Sequence, residues 1–153
     1  PNEKTMPHYY VFDFTDWVNI VPITKDGKIV LINQYRHAVG SEMIEIPGGA
    51  VDWHVKETTQ EASIRELAEE TGYVPEKVEL LGWQHPNPAL QSNKLWSYVA
   101  LGCEKKLEQN LDEYEDIEVF TATPDEVKDM IFRGKIQHSL VISSLFLALK
   151  HLK

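Results

Sequence analysis

Residues 57–73 read ETTQEASIRELAEETGY, and the way those glutamates are used decides both fold and function. Thr58 followed three residues later by Glu61 is a capping-box pattern. Gly72 suits the position just past a helix end, where a left-handed backbone is favoured. The spacing therefore predicts a helix over Thr59–Thr71. At roughly 100° per residue, Ile64, Leu67, Ala68 and Thr71 share one stripe. Glu66, Glu69 and Glu70 then fall on the opposite side, with small Ala62 among them. Arg65 has Glu61 and Glu69 at i−4 and i+4 and can brace those carboxylates. Glu57 stands just before the helix and can turn toward the same region.

Two readings of the acidic side compete. Exposed like-charge pairs cost only ~0.2–0.5 kcal/mol each, so a solvated face is energetically acceptable. Alternatively, carboxylate oxygens one turn apart suit a hard divalent cation such as Mg²⁺ or Mn²⁺.

Composition narrows the context. The chain has 153 residues, enough for one domain with a real core, and 42% are hydrophobic against 25% charged. Its formal net charge of −9 opposes broad contact with a phosphate backbone, so no nucleic-acid partner is expected. A small anionic ligand needs only local donors or a bound cation. No apolar run reaches the length of a membrane-spanning helix, and no membrane partner is expected. The opening PNEKTMPHYY lacks a basic-then-apolar leader pattern. Cys103 is the single cysteine, which fits a reducing cytoplasm.

Along the chain, YYVFDF, DWVNIVPIT, KIVLINQYR, MIEI, KVELLGWQ, KLWSYVALGC and IEVFTA read as strands. Asp26-Gly27 marks a hairpin turn, and Pro47-Gly48-Gly49 marks a loop after MIEI. Thr123-Pro124-Asp125-Glu126 starts a second helix ending near Gly134. HSLVISSLFLALKHL closes the chain as a largely buried helix. The expected class is α+β, with helices packed on a mixed sheet.

The order Glu57, seven residues, then Arg-Glu-aliphatic-x-Glu-Glu-x-Gly-apolar resembles the Nudix box. The loop AVDWHVK between Gly49 and Glu57 is two residues longer than that family's pattern, and Lys56 stands where the family often has Gly. The segment running from DWVNIVPITKDG to EIPGGAVD resembles the ADP-ribose pyrophosphatase and nucleoside diphosphate sugar hydrolase branch. So do HPNPALQSNKLWSYVALG, LDEYEDIEV and GKIQHSL. The resemblance implies a Nudix fold, a mixed sheet sandwiched between helices, with an N-terminal strand segment at about residues 8–15. It implies a Mg²⁺-dependent enzyme, with Mn²⁺ as substitute, that splits nucleoside diphosphate sugars such as ADP-ribose or GDP-mannose. It places metal ligands at Glu66, Glu70 and the Gly48 carbonyl, with Glu69 and Glu57 as further or water-mediated ligands. Arg65 becomes an orienting partner, and the PGG backbone approaches the metals closely.

Gly49 joins the expected substrate wall. Arg36 either contacts the substrate phosphates or makes a strand-end salt bridge. The four tryptophans either stack on a base or fill core; Trp17 and Trp83 are the candidates for substrate. The six histidines show no metal spacing and read as structural or solvated. In LDEYEDIEV, Glu113 and Glu115 alternate around Tyr114 and would point the same way if extended. The resemblance makes this loop the source of the general base; both residues remain open, with Glu115 favoured because it adjoins a strand. The branch also implies a homodimer through the N-terminal strand. Two other classes stand beside this enzyme: a nucleoside triphosphate or RNA 5′-end pyrophosphohydrolase, and a Nudix module that binds a nucleotide sugar without turnover.

Overall fold

The computed structural model describes residues 4–152. Its frame is a mixed sheet carrying helices on both faces. The strands are β1 (Trp17–Thr24), β2 (Ile29–Arg36), β3 (Ser41–Glu45), β4 (Gly48–Ala50), β5 (Tyr73–Val74), β6 (Lys77–Gln84), β7 (Leu95–Lys105) and β8 (Ile117–Ala122). The helices are α1 (Thr59–Thr71), α2 (Pro124–Phe132) and α3 (Ser139–Leu147). A 3₁₀ turn over Ala148–His151 follows α3, so the closing helix stops earlier than its apolar run suggests.

β1 is the hub. It runs parallel to β7, antiparallel to β4 through Asn19↔Gly48 and Val18↔Gly49, and meets β2 at Ile23↔Ile29. Asp26-Gly27 turns the β1–β2 hairpin as expected, with Gly27 at φ 80°. Successive β1 residues serve opposite faces, as a pleated strand requires. Ile20 packs with Leu67, Tyr98 and Ala100 beneath α1. Val21 packs with Leu31, Val127, Val141 and Leu145 beneath α2 and α3. The expected sheet between helices is therefore present.

α1 spans the predicted residues. Thr58 and Glu61 form a capping box, and Gly72 closes the helix in the left-handed region. Its inner face differs from the expected stripe. Ala62, Ser63, Leu67, Glu70 and Thr71 are buried, while Ile64 and Ala68 are half-buried. Glu70 thus belongs to the buried face, where its carboxylate accepts the Gly48 N–H of β4.

Two expectations about the chain are corrected. YYVFDF forms no strand within the chain. Phe12 makes an isolated bridge to Gln91, its N–H donating to the Leu90 carbonyl at 2.7 Å. This arm lies along the loop before β7 rather than on a sheet edge, and it leaves Tyr9, Tyr10, Val11, Phe12 and Phe14 exposed. Pro47-Gly48-Gly49 is not a free loop: Gly48 and Gly49 form a short strand held against β1. A side chain at Gly48 would run into the Val18 carbonyl and Asn19.

Candidate active site

β4 and α1 meet because both elements shed bulk at the contact. A Cβ on Gly49 would occupy the place of the Glu66 carboxylate, and Ala62 is fully buried on the helix side. Gly48 donates its N–H to Glu70 Oε2 at 3.0 Å. Glu70 is 3% exposed, so the solvated-face reading fails for this residue. Burial, then the charge of Glu66, pushes its carboxyl up to about 9, against the pull of the Gly48 N–H. Burial also raises Glu66 above the ordinary carboxyl range, opposed by Arg65.

Arg65 organises the remaining carboxylates. Its Nε and Nη2 donate to both oxygens of Glu57 at 3.1 and 2.8 Å. Nη1 donates to Glu66 and Glu69 at 3.0 Å each, and Nη2 also reaches the Ala50 carbonyl at 3.2 Å. The expected brace to Glu61 is absent, because that carboxylate accepts from Thr58 N and Oγ1 in the cap. Glu57 also accepts from the Asp52 N–H at 2.7 Å. The Arg65 hydrogen bonds, followed by that N–H, hold Glu57 below the usual range.

Of these carboxylates, all but Glu57 and Glu61 wall a cavity of about 490 Å³. Glu66, Glu69, Glu70, Asp52, Asp112 and Glu115 supply carboxylates, and Arg36 and Arg65 supply guanidiniums. Among the described residues, no three Asp, Glu, His or Cys side chains stand ready as a ligand set, since Arg65 holds three of the glutamates. The donor chemistry nevertheless fits a hard divalent cation. It is all oxygen, and it includes a buried carboxylate one turn from a second.

Glu115 is brought into this cavity; Glu113 is not. Gln109 Nε2 donates to the carbonyls of Glu70 and Ile117, and the Asn110 N–H donates to the Glu69 carbonyl, which pins the loop onto α1. The loop turns at Glu113–Tyr114 instead of running extended, with Glu115 N–H on the Asp112 carbonyl at 3.0 Å. The two glutamates therefore do not share a direction.

Arg36 makes the strand-end salt bridge. It holds buried Glu45 through Nε and Nη2 at 2.7 and 2.8 Å, yet still lines the acidic cavity. A second cavity of about 380 Å³ adjoins the first across Arg36, Gly48, Gly49 and Ala50. Its wall is mostly apolar, with Trp17, Val18, Met43, Ile46, Leu95 and Leu140. Trp83 lines neither cavity. It lies 4.7 Å from Lys94 Nζ and faces Trp96, on the far strand β6.

Sequence reasoning missed Glu45, Asp52 and Gln34. Glu45 sits between two isoleucines in a short strand, and its partner Arg36 lies on the neighbouring strand, reached along the β2–β3 ladder. An acidic residue inside an apolar strand was the available signal. Asp52 and Gln34 carried none.

A family model described as NUDIX domain matches residues 14–143. The chain is 35% identical over 140 residues to the methanol dehydrogenase activator of Bacillus methanolicus, covering 88% of this chain and 75% of that protein. It is 28% identical over 117 residues to the ADP-ribose pyrophosphatase of Bacillus subtilis, covering 74% of this chain and 61% of that protein. A crystal structure of an ADP compounds hydrolase superposes with a TM-score of 0.79 at 26% identity, covering 90% of this chain and 72% of the other. The chain belongs to the NUDIX family and is a pyrophosphohydrolase by class, and it is similar to proteins named for the hydrolysis of ADP-ribose and ADP compounds. No described helix is long and apolar enough to cross a membrane.

Proposed function

We propose that the protein hydrolyses the pyrophosphate bond of a nucleoside diphosphate sugar, ADP-ribose first among them, with Mg²⁺ as cofactor. The observation that carries this is the buried Glu70 carboxylate, held by the Gly48 N–H and one helical turn from Glu66 at the wall of a cavity that also contains Arg36. The relatives named for ADP-ribose and ADP compounds support the substrate class.

Glu66, Glu70 and the Gly48 carbonyl would hold the ion, with Glu69 and Glu57, oriented by Arg65, as further or water-mediated ligands. A divalent ion there neutralises pyrophosphate charge and acidifies water. The protein's own groups do the rest. Arg36 keeps Nη1 free of Glu45 and can donate it to a phosphate oxygen. Gly49 lets the chain approach the phosphates without a side chain. Glu115 accepts the proton of the attacking water. The water oxygen bonds to one phosphorus, the bridging oxygen leaves with the other phosphate, and two monophosphates result. The apolar cavity, with Trp17 in its wall, takes the nucleoside. Glu113 and Trp83 have no role here.

Incubating the protein with Mg²⁺ and a panel of ADP-ribose, GDP-mannose, UDP-sugars and nucleoside triphosphates tests the reading. Monophosphate products from the diphosphate sugars support it. Turnover confined to triphosphates, or binding without turnover, would replace it.

We also propose a homodimer. The arm Tyr9–Phe14 exposes five large apolar or aromatic side chains. Light scattering at micromolar concentration should give twice the chain mass, and a monomer mass would reject this.

A further inference from the structure

Asn19 stands between Val18 and Ile20 in β1, half-buried, and lines the apolar cavity. Its amide nitrogen is committed to α3. Nδ2 donates to the Leu140 carbonyl at 3.3 Å and to Ser144 Oγ at 3.1 Å. Ser144 is fully buried, shares a 2.8 Å hydrogen bond with buried Ser97, and donates to the Leu140 carbonyl at 3.0 Å. These partners decide which way the amide faces. Turned over, it would set Oδ1 against the Leu140 carbonyl, two acceptors with no proton between them.

Oδ1 is therefore the free end of the side chain. It takes no hydrogen bond among the described residues. Nor is it among the side-chain atoms buried without a partner, so it keeps surface open to solvent. Gly48, the cross-strand partner of Asn19, fixes where that surface lies. A Cβ on Gly48 would stand 2.6 Å from Oδ1. Gly48 lines both the acidic and the apolar cavity, which puts Oδ1 at the seam between them.

A nucleoside diphosphate with its phosphates in the acidic cavity and its base in the apolar one carries its ribose across that seam. The ribose hydroxyls are hydrogen-bond donors. We infer that Asn19 is a specificity-determining residue for the sugar of the nucleoside, its Oδ1 accepting a hydrogen bond from a ribose hydroxyl. The inference rests on the nucleoside diphosphate reading of the site. Leu140 and Ser144 hold the acceptor in place before a ligand arrives, so aligning it costs little side-chain freedom on binding.

The test measures AMP, 2′-deoxy-AMP and 3′-deoxy-AMP by calorimetry. It also measures kcat/KM for ADP-ribose and for its analogues lacking the same hydroxyls on the adenosine side. The wild-type protein should favour the full ribose over at least one deoxy form by about fivefold to thirtyfold, mainly through KM in turnover. Asn19→Leu keeps the volume without the acceptor, and Ser144 still donates to the Leu140 carbonyl, so the fold should hold. Asn19→Ala removes the acceptor with no bulk added. Both should bring the ratio toward one. Equal treatment of AMP and both deoxy forms by the wild-type protein overturns the inference. So does an undiminished preference in either folded variant, and so does a wild type that neither binds AMP nor turns over ADP-ribose. Should AMP bind with the preference while no sugar is hydrolysed, the inference stands and the hydrolase reading falls.

Discussion

The Gly48 N–H donates to Glu70 Oε2 at 3.0 Å, tying strand β4 to the buried end of helix α1. The bond fixes the carboxylate without neutralising it. Glu70→Gln keeps size and an acceptor oxygen but removes the charge a cation needs. Turnover should fall on the order of a thousandfold, the loss of about 4 kcal/mol of transition-state stabilisation. Steady-state kinetics at saturating Mg²⁺ would show it, and near-normal turnover would remove Glu70 from the ligand set.

The same residue sets a pH dependence in metal-free protein. Burial raises Glu70 in the folded state to about 9, well above the ordinary carboxyl range. The folded state then binds the proton more tightly than the unfolded one. Its contribution to stability is complete below the unfolded pKa and is lost as pH rises through the folded pKa. Denaturant midpoints of the wild type should therefore fall relative to Glu70→Gln as pH rises from the carboxyl range toward that value. Mg²⁺ binding at neutral pH should release a proton, visible as a buffer-dependent heat. A heat independent of buffer would contradict it.

Arg65 bonds Glu57, Glu66, Glu69 and the Ala50 carbonyl through a planar fork. Lysine is a point charge and cannot reproduce that geometry. Arg65→Lys should raise the Mg²⁺ concentration needed for half-maximal activity at least tenfold, by loosening carboxylates that second-shell bonds orient. A Mg²⁺ titration of activity that matches wild type would reduce Arg65 to an ordinary surface ion pair.

Gly49 has no room for a side chain because the Glu66 carboxylate fills the space. That obstacle is the far end of a flexible chain, so Gly49→Ala should fold with a stability change of about 1 kcal/mol or less. Displacing Glu66 should still cost tenfold or more in kcat/KM. Thermal melts and kinetics together check this: an active variant would show that Glu66 has freedom to spare.

Glu115 lines the acidic cavity and Glu113 does not. Glu115→Gln should lower kcat by ~10²–10⁴ with little change in KM, and Glu113→Gln should resemble wild type. A loss confined to Glu113→Gln would mean that the loop closes differently over substrate. Normal rates in both would leave water activation to the metal site or to Glu57.

The helix α1 was legible from its caps, Thr58 with Glu61 and Gly72, because local hydrogen bonding sets them. The strands β1, β2, β7 and β8 followed from β-branched runs. Residues whose environment is made by distant chain were harder to read. Glu70 looked like the polar side of an amphipathic helix, and what buries it is a glycine strand more than twenty positions earlier. Glu45 depends on a cross-strand arginine, and Asn19 on Ser144 of helix α3. The arm YYVFDF has strand composition but meets a loop instead of an open sheet edge, so composition misled there.

The most direct measurement is product analysis after incubation with ADP-ribose and Mg²⁺. The account predicts AMP and ribose 5-phosphate in equal amounts, abolished by a chelator and restored by added Mg²⁺. Unaltered ADP-ribose alongside turnover of none of the nucleoside diphosphate sugars would contradict it.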